Sequence, residues 1–321
     1  MLKAGHRQFR WHDATRDRPV WVDVWYPSTG PDEERTILYG LGEGRVVPSG
    51  AFAAGAVPCP LAVLSHGAGG SAGSYGWLSE YLARNGVVVL GVSHYGESQA
   101  YGTQTIDPGA ITRLWTRPPD CSFALTRLLS DTDIGPHIAR DRITAVGHSS
   151  GGATAVALGG AAFDPEALGS YCRSDAANGD RGCAYARDVN AASVVPPEAV
   201  QSYRDTRITA LVIMDPAAGP GFSEAALAAV NVPVLLIAST ANDFLPFEHH
   251  AQRYARLLPH PVLVALQNGE GHFVFLNVCR SEWSANGVPL CADRPGVDRA
   301  EVHASLASMI HAFVSAQLTG V

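Results

Sequence analysis

The stretch that most constrains this 321-residue chain is Ile143-Thr144-Ala145-Val146-Gly147-His148-Ser149-Ser150-Gly151-Gly152, followed by Ala153-Thr154-Ala155-Val156-Ala157-Leu158. The β-branched residues before Gly147 predict a short strand, and the small residues after Gly151 predict a helix. The turn Gly147-x-Ser149-x-Gly151 joins them. Glycines at its two ends let strand and helix approach closely, which pushes the Ser149 hydroxyl out over the sheet edge. A chance match in a chain with 33 glycines is the plain alternative, but it does not predict the order strand, turned serine, helix.

The rest of the chain supplies the frame. Trp21–Tyr26 alternates and stops at Pro27, which predicts an early strand near a sheet edge. Residues 28–58, rich in Gly, Pro and acidic residues, read as loop. Leu61–Ser65 predicts a buried strand running into the flexible turn His66-Gly67-Ala68-Gly69-Gly70-Ser71-Ala72-Gly73. A helix over Tyr75–Asn85, a strand over Val87–Val92, an irregular stretch over 93–117 and a helix over Pro118–Leu129 follow. Beyond the serine helix, residues 161–206 carry turn residues and no strand-like run. Strands then resume at Ile208–Met214, Val234–Ala238 and Val262–Leu266, separated by helices near Ser223–Val230 and Phe247–Leu258. A last helix runs from Val297 to Gln317. Strands alternating with helices predict an α/β domain with a mostly parallel sheet, helices on both faces and one core through residues 1–321. Residues 161–206 are expected to form a cap over the carboxyl edge of the strands, where such sheets bind ligands. A surface excursion with no role in the site is the alternative.

Composition excludes several classes. A net charge of -7 with no Lys/Arg cluster offers no nucleic-acid face, and no apolar run reaches membrane-spanning length. Met1–Arg7 holds no apolar signal segment, so the chain suits a cytoplasmic protein or an exported one whose signal has been removed. Of the six cysteines, Cys172 and Cys183 flank one polar loop and Cys279 and Cys291 another, each spacing fit for a local disulfide. Cys59 and Cys121 have no evident partner, and no spacing matches a zinc site. The compartment stays open, and the sequence sets no oligomeric state.

A serine hydroxyl needs a base within hydrogen-bond reach, and the base needs an orienting acid. His272, in the glycine turn Asn268-Gly269-Glu270-Gly271-His272 after the last strand, is the expected base. Two acids compete: Asp215, directly after strand 208–214, and Asp243, after strand 234–238. Both strand ends face the Ser149 edge, so spacing permits either. The backbone N–H groups of Ser150 and of the glycine turn, at Ala68, are expected to hold a developing oxyanion.

On these motifs the chain resembles the α/β-hydrolase superfamily, and within it the bacterial dienelactone-hydrolase-like and platelet-activating-factor acetylhydrolase-like serine esterases. The likeness is carried by Trp25-Tyr26-Pro27, Ser65-His66-Gly67-Ala68-Gly69-Gly70, Gly147–Gly152, Met214-Asp215-Pro216 and Gly271-His272-Phe273-Val274-Phe275. It departs from dienelactone hydrolase proper, whose nucleophile is cysteine. The common hydrolase acid stands four residues before a proline; counting back from Pro246 reaches Asn242, which is no acid, with Asp243 one place off. The acetylhydrolase-like pattern puts the acid one strand earlier, with a proline five positions on, as Asp215 and Pro220 stand. The resemblance therefore favours Asp215.

It also implies a serine carboxylesterase working through an acyl-enzyme on a small-molecule ester of short or medium acyl chain, an acetylated phospholipid among the candidates. No metal or organic cofactor is needed. Tyr75, Trp77 and Phe273 are the aromatics close to these motifs in sequence. Amide hydrolysis with the same residues, and a hydrolase fold that only binds, are the rival readings.

Overall fold

The strands that build the centre of the molecule are short runs of Val, Leu, Ile and Ala, apolar on both faces, as a sheet covered by helices on each side requires. The computed structural model describes residues 2–53, 55, 58–185 and 195–316. In chain order its strands are β1 Lys3–Asp13, β2 Arg18–Ser28, β3 Arg35–Tyr39, β4 Gly42–Pro48, β5 Cys59–Ser65, β6 Val88–Ser93, β7 Ile138–His148, β8 Ala210–Met214, β9 Val234–Ser239 and β10 Val262–Leu266. They form one ten-stranded sheet in the order β10-β9-β8-β7-β5-β6-β2-β1-β4-β3. Strands β5 to β10 pair in parallel. A small hairpin, β11 Ser284–Ala285 with β12 Val288–Pro289, stands apart.

The helices are α1 Gly76–Arg84, α2 Arg117–Leu129, α3 Ser150–Leu158, α4 Pro165–Cys172, α5 Glu224–Ala228, α6 Ala251–Leu257 and α7 Arg299–Ala316. Alternation along each strand divides the core. Val63 of β5 and Leu211 and Ile213 of β8 join Leu125 of α2, Val156 of α3 and Tyr254 of α6 on one face. Leu64, Val212 and Met214 face the other way, toward Leu78 and Leu82 of α1 and Leu306 and Ile310 of α7. The chain leaves β5 in one direction, to β6, and then returns past it to β7 and onward to β10. Loops after β5 and β7 therefore diverge and open a crevice at their carboxyl ends.

Two expectations are corrected here. Residues 28–58 are not all loop, for they contain β3 and β4, whose glycines and charges obscure the alternation. Nor does the strand containing Trp21–Tyr26 lie near an edge: β2 sits between β6 and β1. Its partner β1 is written in Arg, Gln and His at its exposed positions, so it left no apolar signal, yet it pairs with β2 along its whole length. Pro27, which pointed to an edge, occurs one residue from the end of β2, where its missing N–H is harmless.

Helix α6 is shorter than expected, and Gln317 of the expected last helix lies outside the described residues. So do residues 186–194 of the expected cap. Its described parts are α4 and short 3₁₀ turns at Asp175–Ala177, Gly182–Tyr185 and Pro197–Ala199. Cys172–Cys183 and Cys279–Cys291 are disulfides, and Cys59 and Cys121 are free thiols. Among the described residues, no helix is long and apolar enough to cross a membrane.

Candidate active site

Ser149 stands between β7 and α3 with φ 56° and ψ -121°, a conformation that side chains other than glycine rarely adopt. The turn is held from both sides. Its N–H donates to the Met214 carbonyl at 3.0 Å, and its carbonyl accepts the Ala217 N–H at 3.0 Å. The glycines beside it are there for want of space. A Cβ on Gly147 would meet the Gly151 carbonyl oxygen at 2.0 Å, and one on Gly151 would meet the Ser65 carbonyl oxygen at 1.9 Å.

His272 opens a 3₁₀ turn, His272–Phe275, after β10 and is buried. Its Nδ1 lies 3.5 Å from Asp215 Oδ2 and 3.2 Å from Asn242 Nδ2, and its ring stacks on Phe244. Its Nε2 has no hydrogen-bond partner among the described residues. Asp215, also at positive φ (38°), accepts the Ser239 N–H on Oδ1 at 2.8 Å and leaves Oδ2 toward the imidazole. Asp243 is placed differently: its Oδ1 accepts the backbone N–H of His272 at 3.0 Å, and its Oδ2 faces Arg294 at 3.6 Å. One acid thus meets the ring of His272 and the other its main chain.

Burial pushes the Asp215 carboxyl well above the usual range, against the Ser239 N–H and the Asn242 amide. Burial also holds the His272 imidazole down, to about 3. A dry site favours the neutral form of each group.

Asn242 was noticed in the sequence only as a missing acid. Its Oδ1 accepts the N–H groups of Phe244 and Leu245 at 2.9 and 2.8 Å, which fixes the amide with Nδ2 against His272.

Ala68, in the turn after β5, and Ser150, first residue of α3, have backbone N–H groups with no acceptor among the described residues. They border the same cavity as Ser149 or adjoin it. That cavity, about 970 Å³, has Gly67, Ala68, Tyr75, His148, Ser149 and His272 at its base and Leu38, Tyr39, Phe244, Phe273, Trp283 and Leu290 in its walls. Among its described lining residues there is no Lys or Arg. A smaller cavity of about 60 Å³ also reaches Ala68 and Ser149, bordered by Ile111, Leu168, Leu245 and the Cys172–Cys183 disulfide. Tyr75 and Phe273 thus reach the cavity, whereas Trp77 does not; it stacks flat on His303 and donates to the Phe275 carbonyl at 2.8 Å.

No family model matches the sequence, and no curated protein does. Among solved structures, a ferulic acid esterase from Streptomyces cinnamoneus is similar, with a TM-score of 0.64 and 22% sequence identity over 98% of this chain and 89% of that one. Superposition across nearly the whole chain joins the parallel strand order already described. The chain has the α/β-hydrolase fold. Along the chain Ser149 comes first, then Asp215 and Asp243, then His272.

Proposed function

We propose that the protein is a serine hydrolase of carboxylic esters that works through an acyl-enzyme. One observation carries the reading: a buried imidazole, His272, that faces Asp215 with Nδ1 and has an unpaired Nε2, beside a cavity that also exposes the strained Ser149. In the first step Nε2 takes the Ser149 hydroxyl proton as Oγ attacks the ester carbonyl. The Ala68 and Ser150 N–H groups receive the oxyanion. Collapse expels the alcohol, which takes its proton from Nε2. Water then gives a proton to Nε2 as its oxygen attacks the acyl carbon; the acyl–Oγ bond breaks, Oγ takes that proton back from Nε2, and the acid leaves. Asp215 takes Nδ1–H and balances the imidazolium; the Asn242 amide, fixed as a donor, then serves the carboxyl rather than Nδ1 and helps keep it there.

The acetylhydrolase-like placement of the acid, one strand before Asn242, supports Asp215 in this role. The cavity's wall of Phe244, Phe273 and Trp283, with no cation among the described lining residues, suits an ester whose larger part is uncharged and apolar or aromatic. A phospholipid headgroup would find no cation there for its phosphate. The described part of residues 161–185 serves as the cap, since Leu168, Cys172 and Cys183 border the smaller cavity and Tyr185 borders both. Hydrolysis of p-nitrophenyl esters of increasing acyl length, by wild type and by Ser149→Ala, tests this. Activity that survives the substitution would remove Ser149 as nucleophile.

A further inference from the structure

His148 and Tyr75 belong to none of the steps above, yet both are buried at the base of the cavity. Three hydrogen bonds run through them. His148 Nε2 is 3.0 Å from the His272 carbonyl oxygen, the Tyr75 hydroxyl is 2.9 Å from His148 Nδ1, and the Gly67 N–H donates to that hydroxyl at 3.0 Å. Chemistry fixes the direction of the chain. A carbonyl only accepts, so His148 Nε2 carries the hydrogen. Burial, then the neighbouring His272, holds His148 well below its ordinary value, so the ring is neutral and Nδ1 is a bare acceptor. Tyr75 must therefore donate to it, which leaves the phenol oxygen to accept from Gly67. Every polar atom in the series is satisfied in only one way.

We propose that Tyr75 and His148 are positioning residues that set the oxyanion loop against the turn bearing the base. The inference rests on the proposed esterase reading and goes beyond it. The series links the loop after β5, the residue before the nucleophile and the residue that supplies the base. Gly67 has little slack, for a Cβ on it would sit 3.3 Å from each of Ser149 Cβ, His148 Nδ1 and the Tyr75 hydroxyl oxygen. Because its N–H is taken by Tyr75, the loop's free donor is that of Ala68, next along the chain. A shift of the Gly67–Ala68 peptide would move this donor away from the oxyanion. Misplacement of such a group by about 1 Å can cost on the order of a hundredfold in rate.

The test is Tyr75→Phe, which removes one oxygen and keeps the ring. At fixed active-site concentration, titrated with a fluorophosphonate, kcat on p-nitrophenyl acetate should fall by about 10- to 100-fold with KM changed less than about threefold. His148→Leu should cost a similar factor, and the double variant no more than the worse single one, because one chain is broken in each case. His148→Asn, whose side-chain oxygen can accept from Tyr75, should recover part of the loss. Unchanged kcat in Tyr75→Phe, or losses that multiply in the double variant, would overturn the proposal. If Tyr75→Phe does not fold, the comparison of His148→Leu with His148→Asn decides: equal kcat values would overturn it. Failure of the esterase reading shows separately, as activity in Ser149→Ala.

Discussion

Ser149, His272 and Asp215 have a counterpart in the same molecule. Ser65 ends β5, the strand beside β7, and its Oγ lies 2.9 Å from His94 Nε2, whose Nδ1 lies 3.0 Å from Asp120 Oδ2. By residue type and connectivity this is also a serine–histidine–carboxylate series, and its histidine–carboxylate distance is the shorter one. Its surroundings differ in every respect that matters for chemistry. Ser65 is an ordinary strand residue, none of the three borders either cavity, and Asp120 is locked by Arg16 and Arg18 at 2.8 Å each. Burial pushes the Asp120 carboxyl up, but His94 and Arg18 outweigh it and hold it down to about 2. Asp215, with no cation against it, is pushed up. Fully paired groups give rigidity; an unpaired Nε2, a strained serine and an open cavity leave something for a substrate to complete.

The buried series has its own task, under the loop proposed to hold the oxyanion. The backbone N–H of His94 donates to His66 Nε2 at 3.0 Å, and Arg117, itself paired with Glu97, donates to the His66 carbonyl at 2.6 Å. The loop is thus held from beneath at His66 and from the side at Gly67.

The sharpest way to break the comparison is to remove each serine. Ser149→Ala should lower kcat by about 10⁴-fold or more, whereas Ser65→Ala should leave kcat within about threefold while lowering the melting temperature. Comparable losses of kcat would mean the two series are not functionally distinct. Next come the acids. Asp215→Asn should cost about 10³- to 10⁴-fold in kcat, and Asp243→Asn under about tenfold, since Asp243 touches only the His272 main chain. The reverse order would make Asp243 the acid.

Both series were unequally legible in the sequence. The parallel strands show as unbroken apolar runs because each face is covered, and the glycines around Ser149 announce a close approach that only glycine permits. Strands β1, β3 and β4 were hidden because one face of each meets solvent and carries Arg, Glu and Gln. The Ser65–His94–Asp120 series left no trace at all. Its members come from a strand end, the residue after β6 and the first turn of α2, and only the tertiary fold brings them together. Tyr75 shows in the sequence only as an aromatic near the motifs and His148 only as a member of Gly147–Gly152, because their hydrogen bonds too are made by the tertiary fold. Asp215 and Asp243 could not be separated by spacing, because the distinction between touching a ring and touching a backbone N–H is one of side-chain direction.

Stability should single out the buried series. Asp120 is the carboxylate partner of Arg18, shares Arg16 with Asp13 and orients His94, so Asp120→Asn should destabilise the fold by about 3–5 kcal/mol, the cost of leaving the largely buried Arg18 without its partner. Urea unfolding measures it, and kcat per titrated site should change far less than in Asp215→Asn. The pH dependence has a definite sign. The folded carboxyl, at about 2, lies below the ordinary 3.8, so its stabilisation is present above pH 3.8 and is lost as pH falls through about 2. A variant whose stability matched wild type at pH 7 would mean the arginines are satisfied without Asp120.

The smallest effect expected concerns His272 and sharpens the difference between the two carboxyls. As the proposed base His272 works only as neutral imidazole, and burial holds its folded value down, to about 3. Because the neutral form dominates above that value, the acid limb of kcat/KM should lie below pH 6.5, the ordinary imidazole value. An ionised Asp215 acts in the opposite direction, favouring the imidazolium and drawing the limb upward; burial, which pushes this carboxyl above its usual range, weakens that pull. A kcat/KM profile from pH 4 to 8, on an ester that does not itself titrate there, separates the cases. A limb near or above pH 6.5 would mean that Asp215 carries its charge in the free enzyme, as Asp120 does. A lower limb would mean that burial outweighs the pull of the carboxyl on the imidazole.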